Sequence, residues 1–539
     1  MKAHLPGILL GLLLAASSNA ATPPVETKIV ASDPARQDYF GDSVALDGDT
    51  LVVGASLKDV GHSDAGAVYV YLRTPTGWVE QQKLVSTDPS EGYLFGSAVA
   101  ISGDTLVVGC PFTYLNGVGI GGAAYVYTRS AGNWTLQQRL AGASAYDGDA
   151  FGYAIGMSSG TVVVGAYGDI QNGLPTGAAY VFVRQGSVWS LQQTLGPNDD
   201  PPVMGAFGSA AAIVGNTAVI GALGDGLSPG SAYVFTRSGT VWQQVQKLGA
   251  SDGTFDDGFG LTIGLTSDTL VVGAPRNSTS GIERGAAYVF GHAPGYWTEL
   301  QRLEDTGGEE MDQFGHSVAI SGDKLVVGSV AANTAAADTG AADVYVRAGA
   351  GGTWSIDQRL APADLLTHDV FGHSVTVNTN LVAVGVLQYF NFNPGAVYVY
   401  QFEGARDTEP PVIKSVIATP DFLFPANHKL VPVTIGVTAS DNVGVTSCRI
   451  ISVTCNETAD PTDWKVTGDL CLNLRAERNS DQDRVYTVTV ECLDAALNAS
   501  SATVCVTVPK HRPDSNGGTP LGVNGRARAI LKALGRIVK

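Results

Sequence analysis

No stretch of the 539 residues approaches the roughly 18 consecutive uncharged apolar residues of a membrane-spanning helix, so a transmembrane segment is not expected. Histidine is scarce at 8 residues, and His-Glu-x-x-His, P-loop and dinucleotide-binding patterns are all missing. That removes the common sequence signatures of zinc peptidases, nucleotide hydrolases and dehydrogenases. The 6 cysteines include no Cys-x-x-Cys pair, which argues against a structural zinc site. Charge is sparse and one-sided: 32 Lys and Arg face 50 Asp and Glu, a net charge of −18. Such a surface repels phosphate, which argues against nucleic acid as a partner. The balance favours solubility and weak cation binding, and as a bulk property it identifies no ligand.

What is present is a repeat. Phe-Gly pairs fall at Phe40-Gly41, Phe95-Gly96, Phe151-Gly152, Phe207-Gly208, Phe259-Gly260, Phe314-Gly315 and Phe371-Gly372, spaced by 55, 56, 56, 52, 55 and 57 residues. Copies at such a period are stacked or radial supersecondary units. Each reads as four short strands. Phe-Gly-x-Ser-Val-Ala leads through a two-residue turn such as Gly48-Asp49 or Gly103-Asp104 into an apolar run, Leu51-Val52-Val53-Gly54 in the first copy. A run this short and unbroken is a strand buried on both faces. Gly-Ala-Ala-Tyr-Val-Tyr follows, as at Gly122 to Tyr127. Trp-x-x-x-Gln-x-Leu closes the unit, at Trp78, Trp134, Trp189, Trp242, Trp297 and Trp354. Four antiparallel strands in about 55 residues make a β-propeller blade, and seven copies lie within the usual roughly 4–8 blades.

The ends of the array point to a ring. Six Trp strands serve seven Phe-Gly strands, and the last copy stops at Tyr400. A matching strand stands at the other end, Glu26-Thr27-Lys28-Ile29-Val30, in the register of Gln82 to Val85. It is expected to complete the last blade and leave no open edge. By the parity of an antiparallel blade, the first and third connections share one face and the second and fourth the other. The second and fourth are long and variable, as at Ser56 to Ala65 and Glu304 to Gln313, so one face carries the variable loops.

Phe259-Gly260 with Gly273-Ala274-Pro275 resembles the FG-GAP repeats of integrin α-chain propellers and their bacterial relatives. The resemblance implies a seven-bladed propeller over about residues 25–402, and an adhesive or binding role. Integrin-type copies carry a calcium loop between the Phe-Gly and Gly-Ala-Pro strands. Here that segment is reduced to Leu46-Asp47-Gly48-Asp49-Thr50-Leu51, too few oxygens for the 6–8 ligands calcium prefers, and no calcium site is carried over.

Residues 1–20 have the form of a secretory signal peptide: Lys2, an apolar run from Ile8 to Ala16, and the small-residue site Ser18-Asn19-Ala20. An exported chain beginning near Ala21 or Thr22 is the expectation. After the propeller, residues 403–411 form an acidic, proline-ended linker. Residues 412–509 then alternate strictly, as in Val431, Val433, Ile435 and Val437, which suggests an immunoglobulin-like β-sandwich. The segment Leu423-Phe424-Pro425-Ala426-Asn427-His428-Lys429 and the turns at Ala439-Ser440-Asp441-Asn442 and Asp494 to Asn498 resemble those of bacterial surface Ig-like modules. Cys448, Cys455, Cys471, Cys492 and Cys505 lie in this region. Spacing alone does not pair them; one or two bridges with a leftover buried thiol is the expectation. Cys110, alone in the propeller, reads as a small core residue. Residues 510–539 end in a basic, amphipathic stretch, read either as contact with an anionic envelope surface or as a frayed terminus.

Few residues suggest chemistry. Five copies place a carboxylate in Asp-x-Phe-Gly: Asp38, Asp149, Asp257, Asp312 and Asp369. They are either an acidic crown for a cation or basic ligand, or caps accepting backbone N–H groups where the strand begins; a repeated position favours the cap. Gly41-Asp42-Ser43 imitates an esterase motif, but its Ser recurs through the repeats and no base is assigned to it. His316 and His373 share one repeat position in adjacent blades and are placed to approach each other. Two His without a third ligand more often pack than bind metal. Asn133, Asn277, Asn456 and Asn498 match glycosylation acceptors. No catalytic, cofactor-binding or metal residue is assigned. The expected function is a secreted or cell-surface, non-enzymatic binding protein whose loop face meets a protein or glycan. An envelope structural protein and a secreted polysaccharide-acting enzyme or lectin are the alternatives.

Overall fold

The computed structural model describes residues 23–511, apart from 88–91, 113, 116–117, 143–147, 172, 199–204, 225–227, 294, 335, 348–351, 389–392, 403–410, 441–444, 461 and 495–498. The signal-peptide segment, nearly all of the linker, the basic tail from 512 onward, Asn498 and most of both Ig-type turns lie outside the described residues. Among the described residues every regular element is a β-strand. The chain divides into two units, Met1–Glu403 and Gly404–Lys539.

The first unit contains seven four-stranded antiparallel sheets, the arrangement of a seven-repeat β-propeller, and two small two-stranded ones in its loops. The first sheet is Phe40–Asp47, Thr50–Ala55, Ala67–Thr74 and Gly77–Leu84. The seventh takes Phe371–Val377, Leu381–Val386 and Ala396–Gln401 from the end of the array and Val25–Ile29 from its start. That ladder runs antiparallel from Val25↔Gln401 to Ile29↔Val397. Each blade's third strand begins beside the next blade's Phe, as at Gly66↔Phe95, and the series closes on itself at Phe40↔Gly395.

Burial explains the strand order. Thr50–Ala55 and its equivalents Thr105–Cys110, Thr161–Ala166 and Thr269–Ala274 are buried at every residue, because each second strand is covered on both faces by neighbouring blades. The hydrophobic clusters are accordingly shared between blades: Val52, Val68 and Val70 pack with Phe95, Leu106, Val108 and Tyr125. Cys110 is fully buried in that cluster. Each Phe of Phe-Gly meets the third-strand aromatics edge-on, as Phe95 does Tyr125 at 5.4 Å. The two motif glycines interlock. Gly96 has φ of +97°, open to glycine at no steric cost, and a Cβ on Gly54 would come within 2.0 Å of the Gly96 carbonyl.

Side chains then staple blade to blade. Gln82, Gln138, Gln193, Gln246 and Gln301 each donate to the backbone carbonyl of the next blade's Trp and accept from its N–H, at 2.7–2.9 Å. Near the tight turns, Arg129, Arg184, Arg237 and Arg347 reach back to Thr50, Thr105, Thr161 and Thr269 of the preceding blade. The seventh blade has Phe402 where that Arg would stand and the sixth has Lys324 where the Thr would stand. The ammonium lies 4.2 Å from the ring centroid, so a cation–π contact replaces the hydrogen bond.

The second unit has a four-stranded sheet, in the order Val412–Thr419, Leu430–Ser440, Cys471–Arg475, Trp464–Gly468, and a three-stranded one, Val445–Cys455, Arg484–Asp494, Ala499–Val508. Val433, Ile435, Leu472 and Leu474 from the first share one core with Tyr486, Val488, Val490 and Val506 from the second. Cys448 and Cys492, directly opposed across two strands with Cα atoms 4.1 Å apart, form a disulfide. The leftover thiols of this unit correct the expectation of a buried one: Cys471 and Cys505 are exposed and Cys455 half-buried. The alternation that turns Leu472 and Val506 inward turns their neighbours Cys471 and Cys505 outward.

Candidate functional site

The variable connections and the Phe-Gly ends of the first strands lie together on one face of the ring. The five Asp-x-Phe-Gly carboxylates are there, each at most 3% exposed. Four accept the N–H of the residue three positions earlier: Asp38 from Ala35 at 2.6 Å, Asp257 from Thr254 at 2.8 Å, and Asp312 from Glu309 and Asp369 from Leu366, both at 2.7 Å. Three of these also receive a donor from about 20 residues onward: Lys58 at 2.9 Å, Asn277 at 2.8 Å and Gln388 at 2.8 Å. These carboxylates cap and clamp the loops, and an acidic crown open to solvent is not formed. Burial, with Asp305 and Glu309 nearby, raises the pKa of Asp312. Asn277, matched as a glycosylation acceptor, is fully buried and spent on Asp257 and Tyr288, so a glycan has no access to it.

The first strands pack against one another around the ring and bring the residue after Phe-Gly to the axis: Asp42, Ser97, Tyr153, Ser209, Leu261, His316 and His373. The two histidines do meet, with ring centroids 5.2 Å apart. His373 Nε2 lies 3.2 Å from Asp42 Oδ1, joining the seventh blade to the first. Burial, with His373 beside it, pulls the His316 pKa down to about 3, so this ring is neutral at physiological pH. Tyr153 stands 41% exposed against Tyr167, ring centroids 4.6 Å apart. Its pKa is raised by desolvation of its hydroxyl, then by Tyr167 and the charge of Asp42. The hydroxyls of Ser97 and Ser209 are buried without a hydrogen-bond partner. The residues after Phe-Gly thus form a largely polar cluster where the first strands meet.

Ser43 Oγ donates to the Gly96 carbonyl at 2.7 Å, as Ser317 does to Gly372 and Ser374 to Gly41, so the esterase-like Ser is one more staple between blades. Among the described residues, no three His, Cys, Asp or Glu side chains converge as metal ligands. On this face, Phe255, Ile282, Met311 and Leu366 each expose more than half of their surface, from four different variable connections. Met311 N donates to the Ile282 carbonyl at 2.8 Å, so two of these loops touch. The sequence pointed to the loop face and the His pair. It missed Asp42 as the partner of His373, and Tyr153 opposite, because a repeat shows which positions are equivalent and not which face each other.

Among solved structures, a Bacteroides uniformis protein provisionally assigned as a 6-phosphogluconolactonase aligns over 60% of this chain and 86% of its own, at 13% identity and a TM-score of 0.40. At that score the likeness carries no argument. No curated protein matches the chain. The model of the FG-GAP repeat matches residues 25–71, 78–127, 134–182, 189–235, 242–290, 297–346 and 354–400, more than half of the sequence, each match running from the strand before Phe-Gly to the third strand. The chain belongs to the FG-GAP repeat family.

Proposed function

We propose that this is a secreted or cell-surface, non-enzymatic adhesion protein whose variable-loop face holds an extracellular protein or glycan. The C-terminal unit, which we read as immunoglobulin-like, serves as spacer or attachment module. The observation that carries the proposal is the exposure of Phe255, Ile282, Met311 and Leu366 on four variable connections of one face. Large apolar side chains left in water by several loops of one face mark an interaction surface. The capped Asp-x-Phe-Gly positions hold these loops in place, which lowers the ordering cost of binding. Export is supported by the signal-peptide form of residues 1–20 and by the Cys448–Cys492 disulfide, which suits an oxidising compartment. The test is binding of the labelled chain to arrayed glycans and matrix proteins, with calcium and with chelator. A saturable ligand in both conditions supports the proposal. A blank array in both would refute it and leave a purely structural ring.

A further inference from the structure

The C-terminal unit contains a cavity of about 540 Å³ that is broadly open to solvent, with Thr458, Asp460 and Asn479 exposed along it. Its wall is polar: Thr458, Asp460 and Asp463 come from the connection before Trp464–Gly468, and Arg475, Glu477 and Asn479 from the chain leaving Cys471–Arg475. The loop Leu423 to Lys429, noted in the sequence for its signature, is clipped to the same wall. His428 N donates to the Ala476 carbonyl at 2.9 Å, Ala476 N to the Lys429 carbonyl at 2.8 Å, and Arg475 Nη1 to the His428 carbonyl at 3.1 Å.

The wall is held before any ligand arrives. Arg475 also reaches Asp463 through Nε at 3.2 Å and the Thr462 carbonyl through Nη2 at 3.0 Å. Behind Asp463 lies Arg484, wholly buried, donating to it at 2.5 Å and stacked 4.9 Å from the Tyr486 ring centroid. The same guanidinium reaches Cys455 Sγ at 3.6 Å and lies 3.9 Å from Glu457 Oε2, so this cation ties Asp463 and Glu457 together behind the wall. Glu457 holds the far rim, accepting from Asn479 N at 2.9 Å and Ser480 Oγ at 2.5 Å.

Other groups are left over. Among the described residues, the Thr458 hydroxyl, Asp460 Oδ2, Glu477 Oε1 and the Asn479 carboxamide line the cavity without a protein hydrogen bond, whereas Asp460 Oδ1 is taken by Thr462 and Glu477 Oε2 lies 3.2 Å from His428 Nδ1. They offer acceptors and donors side by side, the pattern that vicinal hydroxyls satisfy by donating to carboxylates and accepting from amides. A divalent cation is disfavoured, since no three carboxylates converge among the described residues. An anionic ligand is disfavoured too, because three carboxylates on the wall outnumber the single Arg475. We propose that this cavity binds a neutral sugar residue of a glycan. The proposal is independent of the loop-face reading. With no aromatic ring among the lining residues to stack on a sugar face, binding is weak.

The test is ligand-observed NMR of the full chain with the methyl glycosides of glucose, galactose, mannose and N-acetylglucosamine, with glucuronate as charged control. Saturable binding of at least one neutral glycoside is expected. The Thr458→Ala/Asn479→Ala variant should weaken it by at least roughly 10-fold, and Glu477→Gln should weaken it as well. Neither removed side chain in the double variant has a protein partner, so its melting curve should be unchanged. Phe255→Ser/Met311→Ser, on the other unit, should bind these glycosides as the parent does. No saturable neutral glycoside, binding indifferent to Thr458→Ala/Asn479→Ala, or preference for glucuronate would each overturn the proposal.

Discussion

Gln193→Ala tests whether the ring is held by side chains imitating a backbone ladder. Gln193 Nε2 donates to the Trp242 carbonyl at 2.9 Å, and Gln193 Oε1 accepts from Trp242 N at 2.8 Å. Trp242 is 2% exposed, so truncation strands one donor and one acceptor where water reaches poorly. A typical hydrogen bond contributes about 1 kcal/mol net, and an unpaired buried partner costs about 1–3 kcal/mol. Two such groups, partly relieved by water at the blade edge, predict a loss of about 2–4 kcal/mol. Gln193→Glu keeps an acceptor for Trp242 N and presents no donor to the carbonyl, so it should be no better than intermediate. Gln192→Ala removes only the acceptor of the Trp242 indole N–H, 2.9 Å away, and should cost about 1 kcal/mol. Urea unfolding followed by tryptophan fluorescence reads all three. A Gln193→Ala loss under about 0.5 kcal/mol, within the usual range for an inert surface change, would refute the reasoning.

Three further predictions concern other parts of the chain. The His316 pKa lies far below its unfolded value, so below about pH 6.5 the unfolded chain binds the extra proton and stability falls as pH drops toward 3. His316→Gln should flatten that acid limb in melting temperatures recorded against pH. Replacing Cys448 and Cys492 by Ser releases a cross-link over 44 residues, and the chain-entropy relation gives a loss of about 4 kcal/mol for the C-terminal unit, measurable by calorimetry. Lys324→Thr alone should cost about 0.5–1 kcal/mol by removing the ammonium from the Phe402 ring; combined with Phe402→Arg it should recover most of that loss, since the pair then matches the other blades.

Much of the architecture was legible because it is local and repeated. Gly-Asp turns, the unbroken Leu-Val-Val runs and the count of Trp strands speak for blades and for an offset ring without knowledge of any distant contact. The cap reading of Asp-x-Phe-Gly also followed from local chemistry, since its N–H partner lies three residues away. The staples were visible only as half of a pair. Trp-x-x-x-Gln marks the Gln, but its partner is the Trp of the next blade, 49 residues on from Gln193, and recurrence alone does not say what a side chain touches. The axial cluster was hidden for the same reason: Asp42 and His373 become neighbours only when the ring closes. In the C-terminal unit there is no repeat to read, so neither the Cys448–Cys492 pairing nor the cavity beside Arg475 could be placed from spacing.

The loop-face account is tested most directly by comparing two variants on one immobilised ligand from the array. One carries Phe255→Ser, Ile282→Ser, Met311→Ser and Leu366→Ser; the other carries Val188→Ser, Val241→Ser and Tyr296→Ser, exposed apolar residues beside the tight turns. Loss of binding by at least roughly 100-fold in the first, with the second unchanged and both equally stable, is the predicted result. Equal affinity of the loop-face variant and the parent chain would contradict the account.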